Sequence, residues 1–154
     1  MMRKSPERRG FIARIAAMLA LPYAAPRLAF AQADPLDALV RKVTGGASVG
    51  RDRVKLETPL LADNGHSVPL KVTVQSPMTQ TDFVRSITIL SERNPRPVIA
   101  RFQLGPRAGR AQIVTRVRLN GAQHVVAVAE MSDGSFWSDT AEVVVTESAC
   151  LDQS

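Results

Sequence analysis

His124-Val125-Val126-Ala127-Val128-Ala129-Glu130-Met131, closed by Ser132-Asp133-Gly134 and followed by the run Phe136–Val145, is the stretch that decides the fold. A short apolar run rich in valine that stops at a turn tripeptide reads as a strand covered on both faces. Its neighbours repeat the pattern in weaker form. Upstream, Asn120-Gly121 is a turn signal, and Ala111–Leu119 before it alternates, with Arg116 and Arg118 on the outer face. Val98–Leu104 precedes Gly105-Pro106, and Phe83–Leu90 precedes Asn94-Pro95-Arg96-Pro97. Val68–Val74 ends at Ser76-Pro77, and Val54–Leu61 leads into Asp63-Asn64-Gly65.

Runs of this length, separated by Gly, Pro and Asn clusters and with no helical period between them, predict an all-β domain. About seven strands at this spacing are expected to form an immunoglobulin-like antiparallel β-sandwich. One helix precedes it. Asp34-Pro35-Leu36-Asp37 carries a capping Asp followed by Pro at the first helical position. Arg41 and Lys42 fall in the last turn, and Gly45-Gly46 closes it, with Leu36, Leu39, Val40 and Val43 on one face. The chain has 154 residues, enough for one domain of ordinary size.

The net charge of +6 belongs largely to the first 31 residues, which hold six basic residues against one acid, Glu7. The remainder carries 14 basic and 13 acidic residues, a net of +1, and a nucleic-acid function has no electrostatic basis. Residues 1–31 read as an export leader: a basic start, an apolar stretch Phe11–Ala25 and a small-residue cleavage pattern at Ala29 and Ala31. The stretch is short of the roughly 20 apolar residues of a membrane span, and Arg14 and Pro22 interrupt it. No stable membrane insertion is expected after cleavage. Arg8-Arg9-Gly10-Phe11 resembles the twin-arginine export signal, with Glu7 where Ser or Thr is usual, which implies a folded protein sent to the periplasm. The domains expected are therefore the leader 1–31, a sandwich with its helix over 32–146, and a flexible C-terminal arm over 147–154.

An exported chain with one cysteine raises a question. Cys150 has no intrachain partner, so it is an intermolecular bridge, a reactive thiol or an accident. Structural cysteines are generally buried, whereas Cys150 lies past the last expected strand, among Ser148, Ala149, Leu151 and Asp152. About 13 Å of extended chain separates it from Thr146. Glu147 and Asp152 disfavour a thiolate there. That suits cargo activated by a partner better than a thiol tuned for its own catalysis.

Little else carries chemistry. His66 follows a turn and His124 opens a strand; neither has metal-ligand spacing, and no metal or cofactor is expected. Gly45-Gly46 lacks the Lys-Ser/Thr of a phosphate loop, and Gly134-Ser135-Phe136 does not continue into a nucleophile elbow. Phe136 and Trp137 read as packing residues. Arg101, Arg107, Arg110, Arg116 and Arg118 offer an anion site, though alternation puts several on a solvated strand face.

Four segments resemble the SoxY family of thiosulfate-oxidation carriers. They are Asn64-Gly65 through Val68-Pro69, Ser76-Pro77-Met78-Thr79, Val84-Arg85-Ser86-Ile87 leading to Asn94-Pro95, and, most specific, Val125 to Phe136. The resemblance implies a carrier rather than an enzyme, paired with a SoxZ-type subunit in a heterodimer. It makes Cys150 the covalent attachment point for sulfur intermediates. It also implies a c-type cytochrome that attaches thiosulfate through its sulfane sulfur and a hydrolase that releases sulfate. The arm departs from the family's Gly-Gly-Cys-Gly-Gly: Ser148-Ala149-Cys150-Leu151-Asp152 is similar to the related group with Ala-Ala-Cys-Ile-Glu. The competing expectation is an immunoglobulin-like interaction module whose cysteine only forms an intersubunit disulfide, as in a homodimer through Cys150.

Overall fold

The computed structural model describes residues 35–147. The expected leader, with Arg8, Arg9, Phe11, Ala29 and Ala31, lies outside the described residues, as do Asp34 and the arm residues Ser148, Ala149, Cys150, Leu151 and Asp152. Helix α1 spans Pro35–Thr44. Its end follows from the glycine pair: Gly45 and Gly46 both take positive φ, and the Gly46 amide donates back to the Arg41 carbonyl at 2.9 Å. This six-to-one bond is the left-handed termination that glycine permits at low cost.

Nine strands follow: β1 (Val49–Gly50), β2 (Val54–Glu57), β3 (Leu61–Asn64), β4 (Val68–Val74), β5 (Val84–Ser91), β6 (Val98–Gln103), β7 (Gln112–Val117), β8 (Gln123–Met131) and β9 (Phe136–Glu147). They form a sandwich. One sheet runs β1-β9-β8-β5-β6 with β3 also on β9, and the facing sheet runs β2-β4-β7. The all-β sandwich with a short N-terminal helix is as the sequence implies, with two differences. The strand expected over Val54–Leu61 stops at Glu57 as β2, and a separate strand, β3, begins only at Leu61 and joins the other sheet, with Pro59 between them. β1 and β3 pair with β9 in parallel, at opposite ends of its length, within an otherwise antiparallel sheet.

β8 sits at the centre of the larger sheet, between β9 and β5. Val125, Ala127, Ala129 and Met131 face the sandwich core, where they meet Leu70, Val72, Ile87 and Ile89. Val126 and Val128 point the other way and pack with Leu90 under Leu36 of α1, with Leu39, Val40, Val43 and Phe136 at the margin. The helix thus covers the outer face of the sheet. That cover explains why β8 is apolar from Val125 to Ala129 instead of alternating. Each valine fully buried in this way contributes about 1.5–3 kcal/mol.

Candidate functional site

The segment that leads to Cys150 is β9, and its anchoring defines the site. From Phe136 to Val143 it pairs with β8, register Glu130↔Phe136 through Gln123↔Val143. Beyond Val143 that partner has ended, and β3 takes over on the opposite edge with Leu61↔Val144, Ala62↔Val145 and Asn64↔Glu147. The Val144 amide donates to the Leu60 carbonyl at 2.8 Å, and the Gly65 amide donates to the Glu147 carbonyl at 2.7 Å. The Thr146 hydroxyl donates to the Asp63 carbonyl. Val143 is fully buried and Val145 nearly so, which pins this end of β9 to the core. The strand therefore runs two residues past its expected end at Val145, and the root of the arm is fixed in the sheet.

The loop that grips the root is itself built from local bonds. Asn64 Oδ1 accepts from the His66 amide at 3.1 Å, a turn characteristic of Asn. The Gly65 carbonyl accepts from the Leu119 amide at 2.8 Å. His66 is exposed in this loop. Three exposed apolar side chains lie beside the root: Leu60, Leu61 and Val144 are 69%, 59% and 38% exposed.

A second tie sits in the gap that β1 and β3 leave along β9. Asp139 Oδ2 accepts a 2.7 Å hydrogen bond from the Leu56 amide of β2, joining the two sheets. Nearby, the Trp137 ring lies against Gly50, where a Cβ would stand 2.5 Å from Cε3. The Arg53 guanidinium stacks 5.5 Å from the ring centroid, and the indole N–H donates to Ser135 Oγ at 3.1 Å. Phe136 packs under α1. The aromatic pair is thus packing, as its position in the sequence implies.

The other chemically capable residues do not converge. His124 is exposed, with its amide and Nδ1 on Glu92 Oε2 at 3.1 and 3.2 Å. The His124 amide bond, reinforced by the ring, holds the Glu92 carboxyl below its ordinary range. The Glu57 carboxyl is lowered by hydrogen bonds from Lys71 and then Lys55, and that of Asp133 by the Ser135 hydroxyl and amide. These are surface arrangements. Among the described residues no group of three His, Cys, Asp or Glu side chains is placed to hold a metal ion. Arg101 donates from Nε to Thr88 Oγ1 at 3.2 Å on the helix-side face, whereas Arg116 and Arg118 lie at the far edge of the other sheet. The five arginines of 101–118 do not close on one small anion.

Comparisons with known proteins agree with this architecture. A family model described as "Sulfur oxidation protein SoxY" matches residues 14–150. Among solved structures, the sulfur carrier protein SoxY from Chlorobium limicola f thiosulfatophilum superposes with a TM-score of 0.59 at 24% identity, over 72% of this chain and 91% of that one. Superoxide reductase (neelaredoxin) from Ignicoccus hospitalis gives 0.55 at 17% identity, over 61% and 80%. Superoxide reductase from Nanoarchaeum equitans gives 0.52 at 12%, over 62% and 100%. At these identities the structural likenesses are likenesses of fold. A search of the curated proteins finds no match.

Proposed function

The chain belongs to the SoxY family of sulfur-oxidation proteins, and from that premise we propose that it is a covalent sulfur-carrier subunit whose attachment atom is Cys150 Sγ. One observation carries this reading. The family match runs through to residue 150, the single cysteine of the chain, three residues past a strand end that β3 clamps to the core. Three residues of extended chain span about 10 Å. A carrier needs such a division between a fixed root and a short tether that delivers its thiol into another protein.

Loading is an oxidative coupling. The Cys150 thiolate and the sulfane sulfur of thiosulfate form a disulfide bond, giving Cys–S–S–SO3−, and two electrons pass to a c-type cytochrome. Unloading begins with hydrolysis: water attacks the terminal sulfonate sulfur, the S–SO3 bond breaks, hydrogen sulfate leaves, and Cys–S–SH stays on the chain. In this reading neither step draws a catalytic group from this chain. The exposed Leu60, Leu61 and Val144 give enzymes that receive the arm an apolar contact beside its root.

The reading extends to location and assembly. The leader with Arg8, Arg9 and Phe11 exports the folded chain by the twin-arginine route to the periplasm, with cleavage after Ala31. There it pairs with a SoxZ-like subunit and serves a c-type cytochrome and a sulfate-releasing hydrolase. Cys150→Ser tests the core of the proposal: sulfur-dependent turnover by the reconstituted system is expected to vanish while the melting temperature stays unchanged. A large fall in melting temperature would place the thiol in the core and overturn the carrier role.

A further inference from the structure

Between residues 93 and 129 the chain holds seven arginines, no lysine and no Asp or Glu. The other described residues hold seven basic against eleven acidic side chains, a net of −4. The fold concentrates this asymmetry. β6 and β7 are terminal strands of their respective sheets, and they border a common open cleft of about 780 Å³ along one side of the sandwich. Arg93 and Arg96 precede β6, Arg101 lies on it, Arg107 lies within the 3-10 turn Pro106–Ala108 on the way to β7, Arg110 follows that turn, and Arg116 and Arg118 lie on and after β7. All seven are exposed.

None of the seven is within ion-pair distance of a carboxylate among the described residues, whereas Arg53, Lys55, Lys71 and Arg85 elsewhere each form an ion pair. Arg96, Arg116 and Arg118 rim the cleft, with Val98 and Val114 exposed at 46% and 72% on the two edge strands.

Charge on an edge strand blunts unwanted pairing, but either sign serves that purpose, and lysine is the usual choice. Arginine alone, without a single acid, is the composition that recognises carboxylates through its planar donor fork. The charges are spread over two strands and two connecting segments, too widely to meet on one small anion. Exposed valines among them add the apolar contacts of a protein interface, in which arginine is enriched.

We propose that the β6/β7 side is a docking surface for an acidic protein, whose Asp and Glu side chains take up these arginines across the cleft. The residues that form this surface all precede β8, whereas Cys150 follows β9 in the sequence.

Site-specific photo-crosslinking in the native cells tests it, with a photoreactive phenylalanine at position 114, in the cleft-side strand, and a control at position 142 on β9. The expected result is one protein crosslinked from position 114 through a segment rich in Asp and Glu, at least tenfold less from position 142. Crosslinking should fall at least tenfold in the triple variant Arg96→Glu/Arg116→Glu/Arg118→Glu. If that variant melts early, Arg107→Glu/Arg110→Glu replaces it, since both positions lie outside the strand ladders. Crosslinking that survives charge reversal, a crosslinked segment without an acidic excess, or no crosslinked protein would overturn the proposal. So would tight, reversal-sensitive binding of the purified chain to phosphatidylglycerol vesicles with no protein crosslink. The sulfur load on Cys150, measured in the same samples, reports separately on the carrier function.

Discussion

The Gly65 amide donates to the Glu147 carbonyl at 2.7 Å, so the backbone of β9 is still tied down three residues before Cys150. Gly65 belongs to the loop that leaves β3, the short parallel strand that shares only Leu61 with the expected runs. A carrier thiol is useful only if its root is fixed relative to the surface that partner enzymes read. β3 and the Gly65 loop supply that fixed point.

Replacing Ser148-Ala149-Cys150-Leu151-Asp152 by Gly-Gly-Cys-Gly-Gly changes the tether and leaves its root alone. Removing the side chains at 148, 149, 151 and 152, and with them the charge of Asp152, is expected to raise turnover with thiosulfate-oxidising enzymes of the Gly-Gly-Cys-Gly-Gly type severalfold. Steady-state rates with the two arms on the same body make the comparison. Equal rates would move discrimination to the sandwich.

Asp139 joins the sheets through the Leu56 amide. Asp139→Ala leaves a part-buried amide without its acceptor and should lower the unfolding free energy by about 1–3 kcal/mol. Asp139→Asn keeps an oxygen in place and should cost less. Urea denaturation of the two variants gives the ranking, and an Asn variant as unstable as the Ala variant would show that the charge, not the bond, matters.

Gly50 is required by the Trp137 ring rather than by backbone strain, because a Cβ there would stand 2.5 Å from Cε3. Gly50→Ala must displace the ring and is expected to cost about 1–3 kcal/mol. Trp137 is the single tryptophan of the chain, so tryptophan fluorescence reports on the surroundings of this ring. A red-shifted emission is expected, and an unchanged spectrum would contradict the packing.

Most of the sandwich was legible in the sequence because its strands are marked by local signals: alternation in β4 and β7, apolar runs in β5 and β8, and Gly or Asn at the turns. The face of α1 was legible for the same reason, with Leu36, Leu39, Val40 and Val43 meeting the sheet. β1 and β3 were not. β1 is two residues long, and β3 is set by a parallel pairing with a strand some eighty residues later, which leaves no periodic trace. The Asp63-Asn64-Gly65 signal marked a real change of direction, but Asp63 and Asn64 finish β3 and the chain turns only after them.

The functional site divides along the same line. The lone cysteine and its small-residue arm are plain in the sequence, whereas the clamp on their root needs the fold. Likewise the arginines of 101–118 read from the sequence as an anion site or as a solvated strand face. Only the placement of β6 and β7 on one side of the sandwich brings Arg96, Arg116 and Arg118 to the rim of a common cleft.

Mass spectrometry of the mature chain taken from native cells oxidising a reduced sulfur compound tests the carrier role most directly. Cys150 should carry sulfane or thiosulfonate adducts that disappear when the sulfur source is withdrawn and return when it is restored. A Cys150 that stays unmodified throughout, or that is locked in a permanent disulfide between two chains, would contradict the carrier role and leave an interaction module in its place.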